Sequence, residues 1–158
     1  MTKSALFSAV RNNEVEAISK ILEKQPKLLS AQDERGSTPL LLAAYLGNRK
    51  IAQLLIDEGA PLDTRDNVGN TALMGIAFKG DEDMLRLLIE AGADLNARNS
   101  EGATALTFAA TYGQKEIVEI LLESGADPSI EDEDKRKPVD HARSNSNAEI
   151  VHILEKFK

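Results

Sequence analysis

The chain contains no cysteine and no tryptophan, and two tyrosines with four phenylalanines bring aromatics to only 4% of its 158 residues. Without cysteine there are no disulfides and no thiolate metal sites, and the redox compartment is left open. A core so poor in rings has to be built from Leu, Ile and Ala, which suits small helices in close contact. A positive excess is missing too. The 19 Lys and Arg stand against 26 Asp and Glu, a net charge of −7, so no basic field neutralises phosphates, and neither nucleic acid nor membrane is expected as a partner. No apolar run is long enough for a signal segment or a membrane span. A cytoplasmic protein is expected, with the periplasm open only if a signal peptide once preceded residue 1.

Chemistry-bearing constellations are equally scarce. The two histidines, His141 and His152, stand eleven residues apart without the spacing or carboxylate partner of a zinc helix. No serine, Ser144 and Ser146 included, lies in a nucleophile-elbow context, and no phosphate-binding glycine loop occurs. The charged run at 131–137 lacks the alternating oxygen ligands, mid-loop glycine and closing glutamate of a calcium loop, and reads as a solvated finger. No catalytic residue, cofactor or metal is expected, and the chain reads as a non-enzyme.

What is present is a period. Glycine recurs every 33 residues in three series: Gly36, Gly69, Gly102; Gly47, Gly80, Gly113; and Gly59, Gly92, Gly125. Thr38, Thr71 and Thr104, and Leu40, Leu73 and Leu106, keep the same beat. A fixed period of this size means stacked copies of one supersecondary unit. Three units run 33–65, 66–98 and 99–131, opening on Asp33, Asp66 and Asn99, whose side chains suit a tight turn that ends on a glycine. A threonine then caps a short inner helix, with Pro39 at its first position in the first unit. An outer helix follows, apolar at i, i+3 and i+4 (Ile51, Leu54, Leu55; Ile117, Ile120, Leu121) and charged elsewhere.

The ends depart from the repeat as stacks require. In 1–32 the inner helix is displaced by 34 residues from that of the next unit and the outer helix by 33, and the first turn is expected to be one residue short. Arg11, Glu14, Glu16 and Lys20 mark this unit as a solvated N-terminal cap. In 132–158 Lys135 and Ser146 replace the turn glycines, while Ile150, Ile153 and Leu154 complete a C-terminal cap whose outer face is polar. In the middle unit Gly75 stands where its neighbours have Leu42 and Phe108, which leaves room that Phe108 is suited to fill.

The words Gly-x-Thr-Pro-Leu at 36–40 and Gly-Ala-x-Leu or Gly-Ala-Asp at 59, 92 and 125 resemble the ankyrin repeat over essentially the whole chain. The stretches 38–45 and 69–80 look like those of small stand-alone bacterial ankyrin proteins, some of which are similar to accessories of catalases or to protectors that cover an enzyme's active site. The resemblance implies an all-α solenoid of stacked helix pairs with β-hairpin-like tips, one domain over 1–158. It also implies a monomeric protein–protein interaction module that holds a partner in a concave groove. An inhibitor or immunity-type protein covering an active site is the alternative. The commonest family word continues with histidine, a slot filled here by Leu41, Met74, Thr107 and Asp140, so the Thr–His hydrogen bond is not available.

Carried over residue by residue, the resemblance puts partner contacts at the finger tips (Glu34, Arg35, Val68, Glu101) and just before the inter-helix glycines (Tyr45, Leu46, Phe78, Lys79, Tyr112). Arg65 and Arg98 add positive charge nearby. An aromatic side chain stands once per full unit in this set, and rings give large apolar contact at low rotamer cost.

Overall fold

The structure is a computed structural model that describes residues 2–157; the outermost positions of the 1–158 assignment, Met1 and Lys158, lie outside the described residues. Among the described residues there are ten α-helices, one short 3-10 helix and no strand. The chain forms two compact units, Met1–Ala72 and Leu73–Lys158.

Unit 1 holds α1 (Lys3–Arg11), α2 (Val15–Lys24), the 3-10 turn Pro26–Ser30, α3 (Pro39–Tyr45) and α4 (Arg49–Asp57). Three of the four α-helix starts in this unit carry a side-chain cap, α2 being the exception. Thr38 Oγ1 accepts the Leu41 N–H at 3.1 Å, with Pro39 at the first helical position, and Asn48 Oδ1 accepts the Ile51 N–H at 3.1 Å. Such caps are each worth about 0.5–2 kcal/mol. The helices pair because their apolar stripes are complementary: α1 packs on α2 and α3, and α3 on α4. Leu6, Ile18, Leu40, Ile51 and Leu55 are buried between them.

Unit 2 continues with α5 (Ala72–Lys79), whose first residue precedes the boundary, then α6 (Glu82–Ala91), α7 (Ala105–Thr111), α8 (Lys115–Glu123), α9 (Pro138–Ser144) and α10 (Ala148–Lys156). Here α7 packs on α8 and α9, α9 on α10, and α8 on α6 and α10. Ala109, Ala110 and Ala142 have nearly no exposed surface, so small side chains occupy the inner-helix contacts. Thr104 and Thr107 form a reciprocal capping box, each hydroxyl oxygen accepting the other's backbone N–H at 3.2 and 3.0 Å. Asp140 likewise accepts the Lys137 N–H at 2.9 Å. Two of the four residues in the histidine slot therefore supply the acceptor for the helix start by other means.

The first turn is not one residue short, contrary to what its spacing predicts. The α1–α2 turn has the same closing bond as the α3–α4 turn, Glu14 N to Ala9 O at 2.9 Å and Asn48 N to Ala43 O at 3.0 Å, in a register of 34. The difference is taken up inside α2, ten residues long where α4 has nine.

Candidate functional site

Four finger tips, at 33–37, 66–70, 99–103 and 132–136, share one construction. The first residue's N–H bonds to the fifth residue's carbonyl at 2.9 Å in all four. Its side-chain Oδ1 accepts the N–H groups of the third and fifth residues: Asp33 from Arg35 and Ser37, Asp66 from Val68 and Asn70, Asn99 from Glu101 and Ala103, Asp132 from Asp134 and Arg136. Neighbouring fingers within each unit are also joined, Asn67 N–H to Arg35 O at 3.0 Å and Glu133 N–H to Glu101 O at 2.9 Å. Because this backbone is internally satisfied, the tip side chains Glu34, Arg35, Val68 and Glu101 are left pointing outward and exposed.

In unit 1 the fingers at 33–37 and 66–70, the end of α3 and one face of α1 enclose a groove of about 1130 Å³. Five of the residues expected from the sequence line it together: Glu34, Arg35, Tyr45, Leu46 and Val68. Tyr45, Leu46 and Val68 are 38%, 52% and 65% exposed, an apolar set facing water. Partial burial, and secondarily the Asp66 carboxylate, raises the Tyr45 phenol pKa, so the ring is neutral at physiological pH. The sequence reading missed the contribution of α1, whose Lys3, Phe7 and Arg11 form the remaining wall. Arg11, which the sequence places on a solvated cap, is exposed and lines the groove.

In unit 2 Phe78 and Tyr112 are each about half exposed and meet edge to face, with centroids 4.7 Å apart. Phe108 lies beneath Tyr112 in a stacked pair at 6.4 Å. These rings pack on one another and still present area to solvent, so local packing and availability coexist. Gln114 Nε2 ties α8 to the end of α5 through Phe78 O at 2.9 Å. Lys79 and Arg65 are exposed. Arg98 is a strut: its Nε donates to Gly102 O at 3.2 Å and its Nη2 to Glu131 O at 2.7 Å, joining two fingers, so its guanidinium is held by carbonyls of its own chain. Gln32 does the same work in unit 1, through Gly36 O and Arg65 O. Beyond the five exposed large apolar residues read from the sequence, Phe157 at the end of α10 is also open; no repeat position signalled it.

The last finger carries a feature that spacing did not show. His141 Nε2 lies 2.7 Å from Asp132 Oδ2, both side chains largely covered. Burial pushes the Asp132 carboxyl pKa up, but the N–H groups of Arg136 and Asp134 together with His141 outweigh it, and the net direction is down. His141 thus has a carboxylate partner, reached across the turn, although no cluster among the described residues has the donors of a metal site. No helix among the described residues is long and apolar enough to cross a membrane.

A family model described as "Ankyrin repeats (3 copies)" matches residues 1–66 and 73–157. The chain belongs to the ankyrin-repeat family. Protein fem-1 homolog C of Xenopus laevis is 37% identical to this ankyrin chain over 60 residues, 35% of the chain and 10% of that protein. The ankyrin chain thus spans about a tenth of the length of the curated relative it matches. Ankyrin repeats generally serve as protein–protein interaction modules.

Proposed function

We infer that this ankyrin-repeat chain is a non-enzymatic interaction module that holds a partner protein on its finger tips and inner-helix ends. The observation that carries this reading is where its apolar surface is left open. Of the large apolar side chains that remain exposed, Tyr45, Leu46 and Val68 gather on the unit 1 groove, and Phe78 and Tyr112 form one aromatic pair in unit 2. Exposed rings and aliphatics beside charged rims are what interface hot spots are made of. The outer helices, by contrast, turn charge to water.

The test is alanine scanning against the partner purified from the native organism. Truncating Tyr45, Phe78 and Tyr112 to Ala should weaken the complex by at least about 1–2 kcal/mol per anchor. Gln53→Ala and Glu119→Ala on the outer helices should stay within about 0.5 kcal/mol. Undiminished affinity in the triple ring variant, or a large loss from the outer-helix variants, moves the interface elsewhere and rejects the assignment.

A further inference from the structure

We propose that the unit 1 groove takes an acidic protein segment with apolar anchors; this rests on the interaction reading above and names the chemistry of the partner. The chain as a whole carries −7, and the groove is lined by three cations and by three carboxylates, Asp33, Glu34 and Asp66, but the exposed charges among them are mostly positive. Lys3, Arg11 and Arg35 line it and are exposed. No carboxylate among the described residues pairs with Arg11 or Arg35. Lys3 gives one N–H to Gln32 O at 2.9 Å, which anchors it at the start of α1 and leaves two donors.

The carboxylates on the same wall are placed differently. Asp33 and Asp66 are only partly exposed, and each turns Oδ1 onto two backbone N–H groups of its own finger. Glu34 alone offers an exposed carboxylate. An incoming segment therefore meets three exposed cations and one exposed anion, with the partly exposed Asp33 and Asp66 still charged behind them, around apolar Phe7, Leu42, Tyr45, Leu46 and Val68. Aspartate or glutamate side chains would pair with the exposed cations while leucine or phenylalanine side chains cover the apolar residues. Electrostatic complementarity of this kind selects the partner and its register. A polyanionic nucleic acid is the weaker occupant, because it would approach against the negative field of the whole chain and find only a local set of cations.

The experiment titrates the full chain into two dye-labelled peptides by fluorescence anisotropy: one alternating acidic with leucine or phenylalanine residues, and its counterpart with lysine at every acidic position. The acidic peptide is expected to bind and the lysine peptide to bind more weakly. Arg11→Glu with Arg35→Glu should cost the acidic peptide on the order of tenfold in affinity, and added salt should weaken it. Leu46→Ala with Val68→Ala should also weaken it. All these sites are exposed, and unchanged melting curves verify that each variant folds. If both peptides bind alike, or charge reversal changes nothing while Leu46→Ala with Val68→Ala still weakens binding, the acidic preference is overturned and the interaction reading stands. If neither peptide binds, or binding ignores both sets of substitutions, the acidic segment and the groove in unit 1 are rejected together.

Discussion

At the scale of single residues, one backbone position explains why the repeats use glycine and the last one does not. Gly36 and Gly102 have φ of +80° and +78°. A Cβ on Gly36 would also lie 2.7 Å from the Asn67 backbone N, and one on Gly102 would lie 3.1 Å from the Glu133 N. The following finger therefore demands glycine twice over, for conformation and for space. Lys135, at φ 60°, occupies the same slot in the last finger. There only the conformational cost remains. Lys135→Gly should stabilise the protein by about 0.5–1 kcal/mol through relief of the left-handed strain, whereas Gly102→Ala should destabilise it by more than about 1 kcal/mol. Urea denaturation checks both, and equal effects at the two sites would mean that the neighbouring finger imposes nothing.

Asp132 gives the residue scale a pH dependence. Its folded pKa lies below the ordinary carboxylate value, 3.8, so the stabilisation is present above that value and is lost as pH falls through the folded pKa. Asn99 fills the equivalent slot with the same pair of accepted N–H bonds, which makes Asp132→Asn a mild change in shape. In that variant the melting temperature should fall less steeply below about pH 4 than in the parent. Parallel acid limbs for the two proteins would assign the acid loss to other groups.

At the scale of elements, the inner helices are short and depend on caps and neighbours rather than on propensity. Gly75 is the exception to explain, since glycine inside a helix costs about 1 kcal/mol relative to alanine. It is buried, and Phe108, its counterpart one repeat on, is partly buried with its ring stacked on Tyr112. The expectation is that Gly75→Leu overpacks the α5–α7 layer and costs about 1–3 kcal/mol. Adding Phe108→Ala should then recover part of the loss. A double-mutant cycle measures the coupling, and strictly additive effects would show that the two positions do not meet.

The local elements were legible because their causes are local. The Asx turns, the Thr38 and Thr104 caps and the left-handed glycines act within about five residues of chain, and the 33-residue beat displays them repeatedly. The candidate surface was legible in part. Tyr45, Leu46, Val68, Phe78 and Tyr112 were read from their repeat positions and are exposed. Arg98 was read as a surface cation, but its partners Gly102 O and Glu131 O depend on how one finger stacks on the next. The His141–Asp132 pair was missed because it crosses a turn at no motif spacing.

At the scale of the whole molecule, the last repeat is expected to carry a thermodynamic task as a cap. Ile117, Ile120 and Leu121 of α8 have at most 4% exposure, and α10 packs against that helix. Removing residues 132–158 would uncover part of this stripe, and each large apolar side chain is worth about 1.5–3 kcal/mol when fully buried. The truncated chain should melt well below the parent and self-associate in size-exclusion chromatography. A monomer with an unchanged melting temperature would show that 132–158 is no cap.

The sequence by itself determined the repeat and its length, the all-α ankyrin architecture, the cap and turn chemistry, and which side chains have no place in the core. These follow from local stereochemistry and apolar periodicity, which act on neighbours along the chain. Only the tertiary structure decided that α1 supplies a wall of the unit 1 groove, that Arg11 and Arg35 stand there without a carboxylate partner among the described residues, and that Phe78 meets Tyr112 edge to face. Those facts depend on distances of a few ångströms between residues far apart in sequence, set by packing.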